Sequence, residues 1–184
     1  MPAPSLTTEQ YFRTPETLLP QELVYGFVRD AAAPAPGHQS ELVRFLVELV
    51  LHVEERGLGR VLPSPIDVVL DRRRDLVVQP DLIVVSRERL HLVTDRVWGP
   101  PDLVLEVLSP RPRIGALDER LEWFARYGVR ECWLFRQPER ELEVVEFEAG
   151  AISRRCRFAG EARIESSVLP DFDLSVDAIL DRGA

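Results

Sequence analysis

The chain has 184 residues, long enough for one domain with a real core, spanning 1–184, and short for two. A content of 45% hydrophobic and 29% charged residues fits a soluble globular protein, and the net charge of −8 argues against indiscriminate coating of nucleic acid, though not against a local basic cleft. No run approaches the roughly 20 apolar residues that cross a bilayer, residues 1–5 lack the regions of a signal peptide, and Cys132 and Cys156 make no disulfide framework, so reduced thiols and a cytoplasmic location are expected.

In chain order, residues 7–12 read as a short capped helix, with Thr7 as N-cap and Gln10 three residues on. Residues 23–29 form a strand candidate broken by Gly26, and 31–37 a Pro/Ala loop. The strongest helix spans 38–56, where Leu42, Phe45, Leu46, Leu49, Val50 and Val53 recur at helical spacing. Strands are expected at 61–62 and 66–70, and Arg72-Arg73-Arg74-Asp75 reads as a solvated turn. Residues 77–85 and 103–108 are two apolar strands, the second ending at Ser109-Pro110. Between them lies a charged connection, 87–97, with a helical turn.

A second helix is expected over 117–126, with Leu117, Leu121 and Phe124 on its buried face and Gly128 as its stop. Arg113, Ala116 and Arg120 lie along one edge of that face. Strands follow at 131–135, 142–147 and 152–158, and a short strand and helical turn over 168–180 close the chain. The order implies a mixed α+β fold with helices packed on sheet.

Asp81 and Glu106 each sit inside an apolar strand, where an isolated charge is costly unless paired. On neighbouring strands two such acids suggest a cation. Mg²⁺ or Mn²⁺ prefers oxygen ligands, and the carbonyl of Val107 is a plausible third one. A third acid can come from Glu22. The plainer reading is a buried ion pair with an arginine such as Arg120 or Arg113.

Gln79-Pro80-Asp81-Leu82 followed by Leu105-Glu106-Val107-Leu108-Ser109-Pro110 resembles the motif of a large bacterial family of restriction-endonuclease-like proteins. That family lies within the PD-(D/E)XK nuclease superfamily. The similarity extends to Glu22-Leu23-Val24-Tyr25-Gly26, to His38, to Phe124-Ala125-Arg126-Tyr127-Gly128-Val129 with Glu131-Cys132-Trp133-Leu134, and to Val168-Leu169-Pro170. The resemblance implies a central mixed β-sheet flanked by helices and metal-dependent hydrolysis of DNA. Asp81 and Glu106 would hold the metal, and Glu22 would be an accessory acid. The family's lysine usually comes from the helix after the glutamate, at the position of Arg120. This chain contains no lysine, and Tyr25 and Phe27 stand where the family carries acids.

Arginine can supply charge and hydrogen bonds, but its proton stays on and its fork needs more room. The alternative to a DNA endonuclease is therefore a catalytically degenerate nuclease fold acting as a binding or dimerisation module. DNA is the expected partner, and a homodimer is compatible with either reading. His38 is read as a helix-start residue bonded to backbone rather than a metal ligand. Trp98, Trp123 and Trp133 are read as packing residues, and Cys132 as core.

Overall fold

The structure is a computed structural model that describes residues 5–15, 20–30, 33–108 and 117–182. Arg113, Ala116 and Ser109-Pro110, singled out above, lie outside the described residues. Two mixed sheets carry the fold. In chain order the first elements are α1 (Thr8–Tyr11), β1 (Gln21–Val24), β2 (Phe27–Asp30), α2 (Pro36–Val53), β3 (Gly59–Pro63), β4 (Val68–Asp71) and β5 (Leu76–Val78). They are followed by β6 (Leu82–Ser86), a 3-10 segment over Arg87–Leu92, β7 (Val97–Trp98), β8 (Leu103–Leu108) and α3 (Leu117–Tyr127). The chain closes with β9 (Glu131–Arg136), β10 (Glu141–Glu148), β11 (Ala151–Ala159) and α4 (Val176–Leu180).

One sheet has the order β2-β1-β5-β4-β7 and the other β11-β10-β9-β8-β6-β3. The expected central sheet is thus divided in two. The division falls within the run read as a single strand over 77–85. β5 belongs to the first sheet and β6 to the second, so Gln79-Pro80-Asp81 is the crossing between them rather than strand. Pro80 has no N–H to give to a ladder, which is why the run breaks there.

Local chemistry accounts for most boundaries. Thr7 caps α1 in a capping box with Gln10. α2 starts at Pro36, before the expected His38, because proline suits the first helical turn. Gly128, at φ 95°, ends α3. No strand forms at the start of the C-terminal stretch. An isolated Arg163–Ser175 bridge and α4 stand there instead.

α2 covers one face of the six-stranded sheet, where Leu42, Phe45 and Leu49 pack on Leu82, Leu105 and Val107. α3 covers the other, where Leu121 and Phe124 share a cluster with Ile83, Val104 and Cys132. The alternation of buried side chains along β6 and β8 therefore feeds two separate layers. Among the described residues no helix is long and apolar enough to cross a membrane.

Candidate functional site

β6 and β8 pair antiparallel, with Leu82 opposite Leu105 and Ile83 opposite Val104. The pairing stops at Leu82, so Asp81 lies one residue beyond it, level with Glu106. Past that point the backbone of β8 has no neighbouring strand on the β6 side. Asp81 fills the gap: its Oδ2 accepts the Val107 N–H at 2.8 Å. Val104 and Glu106 share one strand face, which brings Glu106 to the α3 side, while Asp81, beyond the end of β6, meets the Val107 N–H and His38 of α2.

Arg120 rises from α3 into this space and is buried. Its Nε donates to Glu106 Oε1 at 2.7 Å, and its Nη1 donates to both Glu22 oxygens, at 2.8 and 2.9 Å. Glu22, on β1, is fully buried and also accepts the Gln79 N–H at 2.7 Å. Gln79 in turn donates through its side chain to Asp67 at 2.9 Å, while its Oε1 is buried without a partner. The fold thus brings Glu22, Asp81, Glu106 and Arg120 together from two sheets and one helix.

The electrostatics follow from that packing. Burial pushes the Glu106 carboxyl up to about 7; the Arg120 charge opposes the rise, and the charges on Asp81 and Glu22 add to it. Burial works against the Arg120 charge, yet Glu106 and Glu22 together raise its pKa and keep its proton in place. Arg120 therefore answers Glu22 and Glu106 together, while Asp81 is held by the Val107 N–H and His38.

His38 has a partner beyond the expected backbone. Its ring meets Asp81 as well as the Val107 backbone, with Nε2 3.2 Å from Oδ1. An ionised carboxylate only accepts, so Nε2 carries the proton. The hydrogen bond to Asp81 raises the His38 pKa against the opposing effect of burial, and the Asp81 and Glu106 charges add to the rise. His38 and Gln79 are the residues whose part in the site sequence reasoning missed. The available signal was their place in the ordered motifs, Gln79 two positions before Asp81 and His38 opening the long helix.

Among the described residues no group of three or more His, Cys, Asp or Glu side chains is set to hold a metal ion. The residues that could hold one are fewer and partly main-chain: Asp81, Glu106 and the Val107 carbonyl. Oxygen ligands only, with two carboxylates, suit Mg²⁺ or Mn²⁺. With His38 neutral, three acids against one arginine leave excess negative charge that a cation would offset.

The chain matches, over residues 8–177, the family described as "Uma2: Putative restriction endonuclease". It belongs to that family. Among solved structures it is similar to a protein from Anabaena variabilis ATCC 29413, described as "a putative nuclease belonging to DUF820". The two superpose with a TM-score of 0.79 at 17% identity, covering 96% of this chain and 98% of the other. That likeness shows a shared restriction-endonuclease-like fold. No curated protein matches.

Proposed function

We propose that this family member is a cytoplasmic, metal-dependent endonuclease that hydrolyses DNA phosphodiester bonds. Asp81, Glu106 and the Val107 carbonyl would hold Mg²⁺ or Mn²⁺. The observation that carries the reading is the gathering of three acids, Glu22, Asp81 and Glu106, about one permanent positive charge, Arg120, with His38 beside Asp81 and the Glu106 carboxyl pushed up to about 7 by burial. A bound divalent ion would supply Lewis-acid stabilisation of charge on a phosphoryl oxygen.

The chain's own residues do the rest. The Val107 N–H and His38 Nε2 hold both Asp81 oxygens in place. Glu22 and Glu106 fix the Arg120 guanidinium, which stands where the family's lysine would stand and offers a permanent positive charge to a phosphate. Arg120 cannot act as a proton acceptor, because its charge is held by two acids.

One observation favours the alternative of a degenerate fold. Arg120 engages both oxygens of Glu22 and one oxygen of Glu106, so part of the acid cluster is already neutralised from within. Nicking of supercoiled plasmid in Mg²⁺ or Mn²⁺ decides between the two. Cleavage by the wild type that Asp81→Ala abolishes supports the enzyme. Equal traces from both proteins leave the binding-module reading.

A further inference from the structure

We propose that the adjoining tips of two hairpins, carrying Tyr25, Phe27, Arg73 and Arg74, bind single-stranded nucleic acid through its unpaired bases and its phosphates. This deepens the nuclease reading by naming the class of strand presented to the site, and only its link to cleavage rests on that reading. β1 and β2 meet in the two-residue turn Tyr25-Gly26, and β4 and β5 in the turn Arg72–Asp75. The Gly26 N–H donates to the Asp75 carbonyl at 3.3 Å, which holds the two tips side by side.

The first component is aromatic. Tyr25 is 37% and Phe27 49% exposed, two large rings on either side of Gly26. Tyr25 sits edge-on to Trp123 of α3, with ring centroids 6.0 Å apart. Trp123 lies one helical turn beyond Arg120. Phe27 is opposite Val24 and Arg29 opposite Glu22, so Phe27 shares the sheet face of Glu22, about 7 Å further along the strand. The exposed rings therefore border the acid cluster.

The turn itself argues that the tyrosine has a use. Tyr25 and Gly26 have φ of 50° and 88°, the left-handed pair of a tight hairpin that favours Asn-Gly or Asp-Gly. A bulky ring in that first position strains the backbone.

The second component is charge. The protein carries 31 acids and 23 arginines, yet among the described residues Arg73 and Arg74 form no ion pair and both are exposed. The acids of their own turn are engaged elsewhere. Asp71 accepts the Arg73 and Arg74 backbone N–H groups, and Asp75 accepts from Thr8. Arg72 is paired with Glu9 and Arg29 with Glu119. Two arginines thus remain to meet an anion beside two exposed rings.

That combination matches a single strand, whose bases offer free faces for stacking and whose phosphates attract arginine. A duplex hides those faces. A second copy of the chain fits poorly, because a two-fold contact through this patch would set Arg73 and Arg74 against themselves.

The test is fluorescence anisotropy with a labelled oligothymidylate and a duplex of equal length, in EDTA so that no metal-dependent cleavage occurs. The proteins are wild type, Tyr25→Asn, Phe27→Ser and the double variant R73Q/R74Q, each checked for its fold by thermal melting. Wild type should bind the single strand at least tenfold more tightly than the duplex. Tyr25→Asn, which gives the turn a residue it favours, and Phe27→Ser should each weaken binding by about fivefold or more. R73Q/R74Q should weaken it and reduce the salt slope by about 1.4, two phosphate contacts at roughly 0.7 each.

Folded ring variants that bind like wild type overturn the proposal, and so does a preference for duplex. A concentration-dependent dimer lost in Phe27→Ser, with DNA binding unchanged, overturns it in favour of self-association. The two readings fail separately. If the binding pattern holds while no protein cleaves in Mg²⁺ or Mn²⁺, the platform stands and the nuclease falls. If wild type cleaves and the ring variants bind and cleave unchanged, the platform falls alone.

Discussion

Two strand glutamates of this protein are buried in opposite ways. Glu131, on β9, is fully buried and takes four hydrogen bonds from neutral donors: Trp133 Nε1 at 2.6 Å, Ser166 Oγ at 2.6 Å, and the Ser167 N–H and Oγ at 2.8 and 2.9 Å. It pins the 166–169 loop to the sheet. Glu106, on β8, shares Arg120 with Glu22 and lies beside Asp81. A buried acid saturated by neutral donors is architecture. A buried acid that shares one arginine with a second acid and lies near a third, with its pKa pushed up to about 7 by burial, is where the proposed cation would act.

The sharpest test of that contrast removes a neighbour of Glu106. Asp81→Asn should lower DNA cleavage to background and abolish Mn²⁺ binding measured by calorimetry, while leaving the fold intact. Unchanged Mn²⁺ binding would place the metal elsewhere. Glu131→Ala should do the reverse. It strands the Trp133, Ser166 and Ser167 donors and should cost about 3 kcal/mol or more in urea unfolding, with Mn²⁺ affinity unchanged in the protein that remains folded.

A smaller effect is expected at Arg120. Arg120→Lys should raise Mg²⁺-dependent cleavage several-fold at fixed salt, because lysine is a compact charge that leaves more of the site open. A folded variant no faster than wild type would show that arginine is adequate there or that the site has decayed beyond one residue.

The mildest test is a pH series on the metal-free protein. Glu106 has a folded pKa near 7, above its unfolded value. Its contribution to stability is therefore complete below about pH 4.3 and is lost as pH rises through about 7. His38, also raised, works in the same direction. Stability in EDTA should fall between those limits by up to about 1.4 kcal/mol per pH unit from Glu106 alone. Glu106→Gln should flatten that part of the curve. A wild-type curve parallel to the variant's would remove the charge imbalance from the account.

The sequence alone determined what local rules encode. The capping box at Thr7 and Gln10, the apolar periodicity of α2, the β8 run and the Gly128 stop follow from residue spacing and backbone preference. The isolated charges of Asp81 and Glu106 were also legible, since a carboxylate within an apolar run stands out in a linear reading. The position of Arg120 on the edge of a helical face likewise pointed it toward those acids.

Tertiary structure decided the rest. The 77–85 run reads as one strand because both halves are apolar, yet it divides at Pro80 between two sheets. Glu22 reads equally well as an edge acid until β1 pairs with β5 and α3 closes over it, which buries it against Arg120. His38 meets Asp81 only because α2 packs on the sheet face beneath β6 and β8. Spacing encodes neighbours along a helix or strand. It carries no distance between residues from different elements, and those distances assemble this site.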